Sequence, residues 1–135
     1  MLKDTAKEEA LDALSDLPIK KESIELRILK LARARIAKRG HWCRNTLAMN
    51  KDGETVTVSD ADAVRWCAVG SLYWASALVL GDSVGSDIKA RKIASQMTPS
   101  GIALEKINDK SRHNPGWGHK GILALFDNAI ITRSS

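Results

Sequence analysis

Residues 65–74 read RWCAVGSLYW, which puts two tryptophans, a tyrosine and a cysteine into ten positions of a chain with six aromatic residues in all. The uncharged run that begins at Trp66 ends at Gly81 and is broken by Ser71 and Ser76. It is too short and too polar to span a bilayer, which takes about 20 predominantly apolar residues. Projected with the helical period, Ala61–Leu80 is apolar almost all round, with Asp62, Arg65 and Ser76 forming a narrow polar strip. A helix that is apolar on every side is normally wrapped by others. The stretch therefore predicts a buried central helix over about 60–80. Cys67, Gly70 and Ser71 are small and admit close approach of a neighbour, and a buried thiol packs as a small hydrophobe.

Upstream, Asn50-Lys51-Asp52-Gly53 is turn chemistry and Thr55-Val56-Thr57-Val58 is β-branched alternation, which together predict a small hairpin over about 45–58. Ser59-x-x-Asp62 reads as the N-cap of the central helix. Before the hairpin, a helix over about Glu22 to Lys38 stops at Gly40. Thr5-x-x-Glu8 is a capping-box pattern for a first helix that Pro18 ends. Downstream, Ser86 reads as the cap of a helix through Gln96, and Thr98-Pro99 as the cap and first position of one ending near Asn108. SRHNPGWG reads as a loop. GILALFDNAI, apolar at 122, 125, 126, 129 and 130, reads as a closing helix. The fold expected is mainly α, a single-domain bundle over 1–135 with one hairpin, the helix of residues 1–19 lying at its periphery.

The 135 residues suffice for one core without staples. Cys43 and Cys67 form no CxxC, which points to a reduced, cytoplasmic chain. MLKDTAKEEALDAL is charged from its third residue and has no apolar segment of the kind a signal peptide needs. Charge is unevenly placed. Lys20 to Arg44 holds nine basic residues against Glu22 and Glu25, a balance of +7, so the remainder of a chain with net charge +5 is −2. Such a segment attracts nucleic acid, nucleotides or an acidic protein surface, and it also serves as an ordinary solvated helix face. Within it, Arg35 and Arg39 fall on the apolar arc made by Ile24, Ile28, Leu29, Leu31, Ala32 and Ile36. An arginine there must snorkel, pair with a carboxylate such as Asp62 or Asp109, or hold an anionic ligand through forked hydrogen bonds.

Arg39-Gly40-His41-Trp42, the Asp52-Gly53 turn, Ala63-Val64-Arg65-Trp66-Cys67-Ala68-x-Gly70, Ile107-Asn108-Asp109 and Leu125-Phe126-Asp127-x-Ala129-Ile130 occur in that order. Together they resemble an uncharacterised family of small bacterial and phage proteins, a domain of unknown function, with a Trp-Cys-Ala-x-Gly signature and a downstream Asn-Asp pair. The resemblance covers residues 24 to 131. It implies no catalytic assignment, since the family has no established activity, and a phage setting implies an accessory or anti-defence role. The chain departs from the family pattern in a loop after Asp109 enlarged by HNPGWG, and His119 has no counterpart in the motif.

Three chemistries compete for these residues. A thiol hydrolase or amidase would use Cys67 as nucleophile, His119 as base and Asn108 or Asp109 to orient the imidazole. Against it, no Gly-rich turn precedes the cysteine, and apolar surroundings raise a thiol pKa. A zinc site from His41, Cys43, Cys67, His113 and His119 lacks the close ligand pairs of structural zinc, so no metal and no cofactor are expected. The reading adopted is non-catalytic binding of an anionic ligand (a nucleotide, nucleic acid or acidic protein surface) at Arg35, Arg39, Trp42, Trp66, Asn108, Asp109 and Trp117. No GxGxxG or GxxxxGK[ST] accompanies them. An adaptor role would instead use the basic helix 22–39 through Arg27, Lys30, Arg33 and Lys38.

Overall fold

The computed structural model describes residues 22–81, 84–98, 102–109 and 117–134. The expected helix over 1–19, Pro99 and His113 lie outside them. Five α-helices dominate the described residues, as the apolar patterning predicts. Helix α1 (Ile24–Ile36) starts at Ser23, whose hydroxyl accepts from the Leu26 amide at 3.1 Å. It buries Leu26, Ile28, Leu29, Ala32 and Ile36, while Ile24 stays exposed. A 3-10 turn (Arg39–His41) follows. Then come β1 (Ala48–Met49), β2 (Arg65–Trp66), α2 (Ala68–Leu80), α3 (Val84–Met97), α4 (Leu104–Asp109) and α5 (His119–Ser134).

Helix α2 packs against α1 and α3, and α5 packs against α1. Ala68, Leu72 and Ala75 are fully buried against Ile28, Leu29, Ala32, Ile36, Ala90 and Ile93. Helix α5 adds Ile122, Phe126 and Ala129 to the core, with Leu125 and Ile130 half-buried. It is also pinned to α1 by a fork in which Arg33 donates through Nε (2.5 Å) and Nη2 (3.2 Å) to the two Asp127 oxygens. No helix among the described residues is long and apolar enough to cross a membrane.

The central helix starts later than its periodicity predicts. Residues 61–67 are not helical because their amides are used elsewhere. The Asp62 amide donates to Asp60 Oδ1, that of Ala63 to the Asp60 carbonyl, and those of Val64 and Cys67 to the Met49 and Leu47 carbonyls. Arg65–Trp66 thus becomes β2, paired antiparallel to β1 in the register Ala48–Trp66 and Met49–Arg65. Ser59 is therefore not the cap, Asp62 and Arg65 leave the helix, and Ser76, placed on the polar strip, is fully buried. The turn at 50–53 and the Met49–Thr55 bridge form as expected, but the second strand of the sheet is Arg65–Trp66 and not Thr55–Val58. Ser86 likewise lies buried inside α3, α4 begins at Leu104, and the Thr98 hydroxyl donates to the Ile102 carbonyl at 2.6 Å.

Gly70 sets how close the sheet comes to α2. A methyl group built on it would lie 2.8 Å from the Leu47 carbonyl carbon and closer still to the oxygen. The atoms it meets are backbone, which cannot rotate away. Gly70→Ala is expected to destabilise the fold by about 2–3 kcal/mol, the usual cost of overpacking, read as a lower urea midpoint. An unchanged midpoint would show that α2 and Leu47 are free to separate.

Candidate functional site

Each residue of the Trp-Cys-Ala-x-Gly stretch has a structural task. Trp66 is 2% exposed, and its indole N–H donates to the Val58 carbonyl at 2.9 Å. Cys67 is the N-cap of α2, its sulfur accepting from the Gly70 amide at 3.2 Å. This corrects the expectation that the helix runs over about 60–80 with its cap at Ser59. The Ala68 amide, one of those left over at a helix start, donates to Asn108 Oδ1 at 3.0 Å.

Asn108 spends its whole hydrogen-bonding capacity inside the protein. Oδ1 also accepts from Trp42 Nε1 at 2.7 Å, and Nδ2 donates to the Cys43 carbonyl at 3.1 Å and to Asp109 Oδ1 at 2.7 Å. Two acceptor positions and two donor hydrogens are all that an amide side chain has. Asp109 Oδ1 accepts in addition from the Asn45 amide, which fixes Asn45 in the left-handed region at φ 66°. Asn108 is the penultimate residue of α4, which ends near it as expected, and has no exposed surface.

Arg35 pairs with neither Asp62 nor Asp109. Its guanidinium lies over the Trp66 ring at 3.8 Å and the Trp74 ring at 5.0 Å, and its Nε is buried without a partner among the described residues. The indole faces take the place of a carboxylate, an arrangement worth up to about 2 kcal/mol when desolvated. Trp117 is half-buried and packs against the core.

The thiols are poorly placed for chemistry. Burial pushes the Cys43 thiol up to about 12 and the Cys67 thiol up to about 11, in the second case against the lowering effect of the Gly70 and Val69 amides. His119 gives Nε2 to the Ile36 carbonyl at 2.7 Å, and its ring packs on Trp42 with centroids 5.2 Å apart. Neither contact directs the imidazole toward a thiol. Among the described residues, no group of three or more His, Cys, Asp or Glu side chains could hold a metal ion.

What the structure does bring together is a set of arginines. Arg39, Arg44 and Arg65 line one recess of about 410 Å³ with Trp42, Cys43 and Met49. The 3-10 turn supplies Arg39, the following loop Arg44, and the exposed position of β2 Arg65. Arg44 lies over the Trp42 ring at 5.0 Å. None of the three has an ion-pair partner among the described residues, whereas Lys30 pairs with Glu22, Arg33 with Asp127 and Lys89 with Glu25. Arg39 and Trp42 were legible as candidates. Arg44 and Arg65 were not: Arg44 was counted only within the basic segment, and a helix extended back to 61 places Arg65, although it lies in a quoted motif, on a solvent strip.

A model for a family of unknown function, DUF6197, matches residues 24–131, the span that carries the Trp-Cys-Ala-x-Gly resemblance. No curated protein and no solved structure matches the chain.

Asn108→Ala strands the Trp42 indole N–H, the Ala68 amide and the Cys43 carbonyl in the interior. At about 1–3 kcal/mol for each unsatisfied group, a loss of about 3–5 kcal/mol is expected in denaturant unfolding. The thiols predict an alkaline limit. Their folded pKa values lie above the ordinary thiol value of 9.0, so the unfolded chain releases its thiol protons first. Stability from this source is complete below pH 9 and falls as pH rises from 9 toward 11 and 12. Cys43→Ala with Cys67→Ala should flatten that fall in unfolding measured across pH 8–11.

Proposed function

This chain belongs to the DUF6197 family of unknown function, and we propose that it is a non-catalytic binding protein for an anionic ligand held by Arg39, Arg44 and Arg65. The observation that carries the reading is the convergence on one recess of three guanidinium groups without an ion-pair partner among the described residues. Like charges gathered without a counter-charge repel one another and are relieved by an oxyanion. The guanidinium fork matches carboxylate and phosphate geometry. Trp42 supports the recess as a floor and not as a stacking platform: it is 8% exposed, carries Arg44 over its ring and is fixed by Asn108. The ligand class is that of a nucleotide, the backbone of a nucleic acid, or an acidic protein surface.

Arg35, Trp66, Asn108 and Asp109 act in this reading by holding the frame. The adaptor alternative on α1 has less to work with, since Lys30 and Arg33 already pair with Glu22 and Asp127, leaving Arg27 and Lys38. The hydrolase alternative gains no support from two thiols held protonated by burial.

The test uses three fluorescent probes: ATP, a single-stranded oligonucleotide and polyglutamate. At least one should bind, with affinity that falls steeply as salt is raised. Arg39→Ala, Arg44→Ala and Arg65→Ala should each weaken it about tenfold or more, the value of one lost charge-assisted contact. Arg35→Ala should instead lower the unfolding midpoint and leave the affinity of the folded protein intact. A triple arginine variant that keeps full affinity moves the site elsewhere, and failure of all three probes rejects the reading.

A further inference from the structure

A second recess, of about 730 Å³, shares no lining residue with the arginine site. Residues 55–60 line one side in unbroken succession. The facing wall carries Tyr73 and Ala77, one turn apart on α2, and Asp87 and Arg91, one turn apart on α3. Side chains of an extended segment alternate between faces. The recess, lined also by Thr46 and Leu47, follows the backbone of 55–58.

Hydrogen bonding agrees with this placement. Val56 and Val58 are half-buried and packed on the core, whereas Thr55 and Thr57 are exposed. The Val56 amide donates to the Ala48 carbonyl at 3.1 Å. Alternation then turns the Thr55 and Thr57 amides away from β1. Among the described residues, the Thr55 amide and carbonyl and the Thr57 amide have no partner; the Thr57 carbonyl takes the Asp60 amide at 3.1 Å. An unpaired strand edge is a template for another strand.

The charge of the trench favours one kind of strand. Asp60 and Asp87 have no ion-pair partner among the described residues. Arg91 is spaced to pair with Asp87 along the helix but lies with its guanidinium 5.5 Å from the Tyr73 ring centroid. Two carboxylates therefore face the trench against one cation that is drawn onto an aromatic ring.

We propose that this trench binds an extended peptide segment bearing lysine or arginine, which adds as a strand along Thr55–Thr57. Main-chain hydrogen bonds to the edge supply affinity, apolar side chains fill the space beside Tyr73 and Ala77, and a cationic side chain meets Asp87 or Asp60. This inference is independent of the arginine recess, because occupant, charge and lining residues all differ.

The probe is the capped peptide acetyl-KVTVKV-amide, titrated into the ¹⁵N-labelled full chain with amide hydrogen exchange followed in parallel. Saturable shifts and new protection at Thr55 and Thr57 are expected. Methylating alternate peptide nitrogens should abolish them, and replacing both probe lysines by glutamate should weaken binding about tenfold. Asp87→Asn, a change at an exposed position without an ion-pair partner among the described residues, should weaken it about threefold. The proposal is overturned by shifts centred on Arg39, Arg44 and Arg65, by no saturation up to millimolar peptide, or by equal binding of the methylated peptide. Protection at Thr55 and Thr57 that grows with protein concentration alone would assign the edge to pairing between two copies and overturn it equally.

Discussion

One neutral amide holds the arrangement together. Asn108 is buried completely and saturated by four hydrogen bonds, two accepted and two donated. A buried polar network is worth having only when every member is satisfied, and here every position of the amide is used. Through it α4 supplies the missing partner at the start of α2, takes up the Cys43 carbonyl and fixes the Trp42 indole. Trp42 in turn carries Arg44 over its ring. The geometry of an exposed cationic recess therefore rests on an uncharged group in the interior.

The short sheet divides two surfaces of unlike character. Ala48–Met49 is engaged on both edges, by β2 on one side and by the Thr55 segment on the other. Met49 lines the arginine recess, whereas Leu47, two residues earlier, lines the trench beside Tyr73 and Arg91. A two-residue strand is too small to be stable alone. It persists because Ala48 is fully buried and because the absent side chain of Gly70 lets α2 press on the Leu47 backbone.

Much of the fold was legible in the sequence. The apolar stripes of α1 and α5 and the turn at 50–53 carry local signals, and local signals survived. The start of α2 did not. Its upstream residues have helical periodicity, yet their amides are claimed by Leu47 and Met49, a contact that no local pattern encodes. The same contact explains the missed site residues: Arg65 joins Arg39 only because residues 65–66 are a strand beside the loop that follows α1. Arg35 was singled out for being a charge on an apolar stripe, and the singularity was real: two indole faces lie against it in place of Asp62 or Asp109. Asn108 was legible as a residue near a helix end and as a candidate contact, but nothing in Ile-Asn-Asp reveals that three distant chain segments meet there.

That meeting has a consequence for the order in which the protein is made. Asn108 reaches back 66 residues to Trp42, 65 to Cys43 and 40 to Ala68. During synthesis from the N-terminus, α1, the sheet and α2 all leave the ribosome before their shared partner exists. Until then the first turn of α2 lacks this cap, and the Trp42 indole has no acceptor from Asn108. Closure of the amide network is thus a late event with high loop-closure cost, and a nascent chain stalled short of residue 108 presents its chaperones with an unfinished arginine recess.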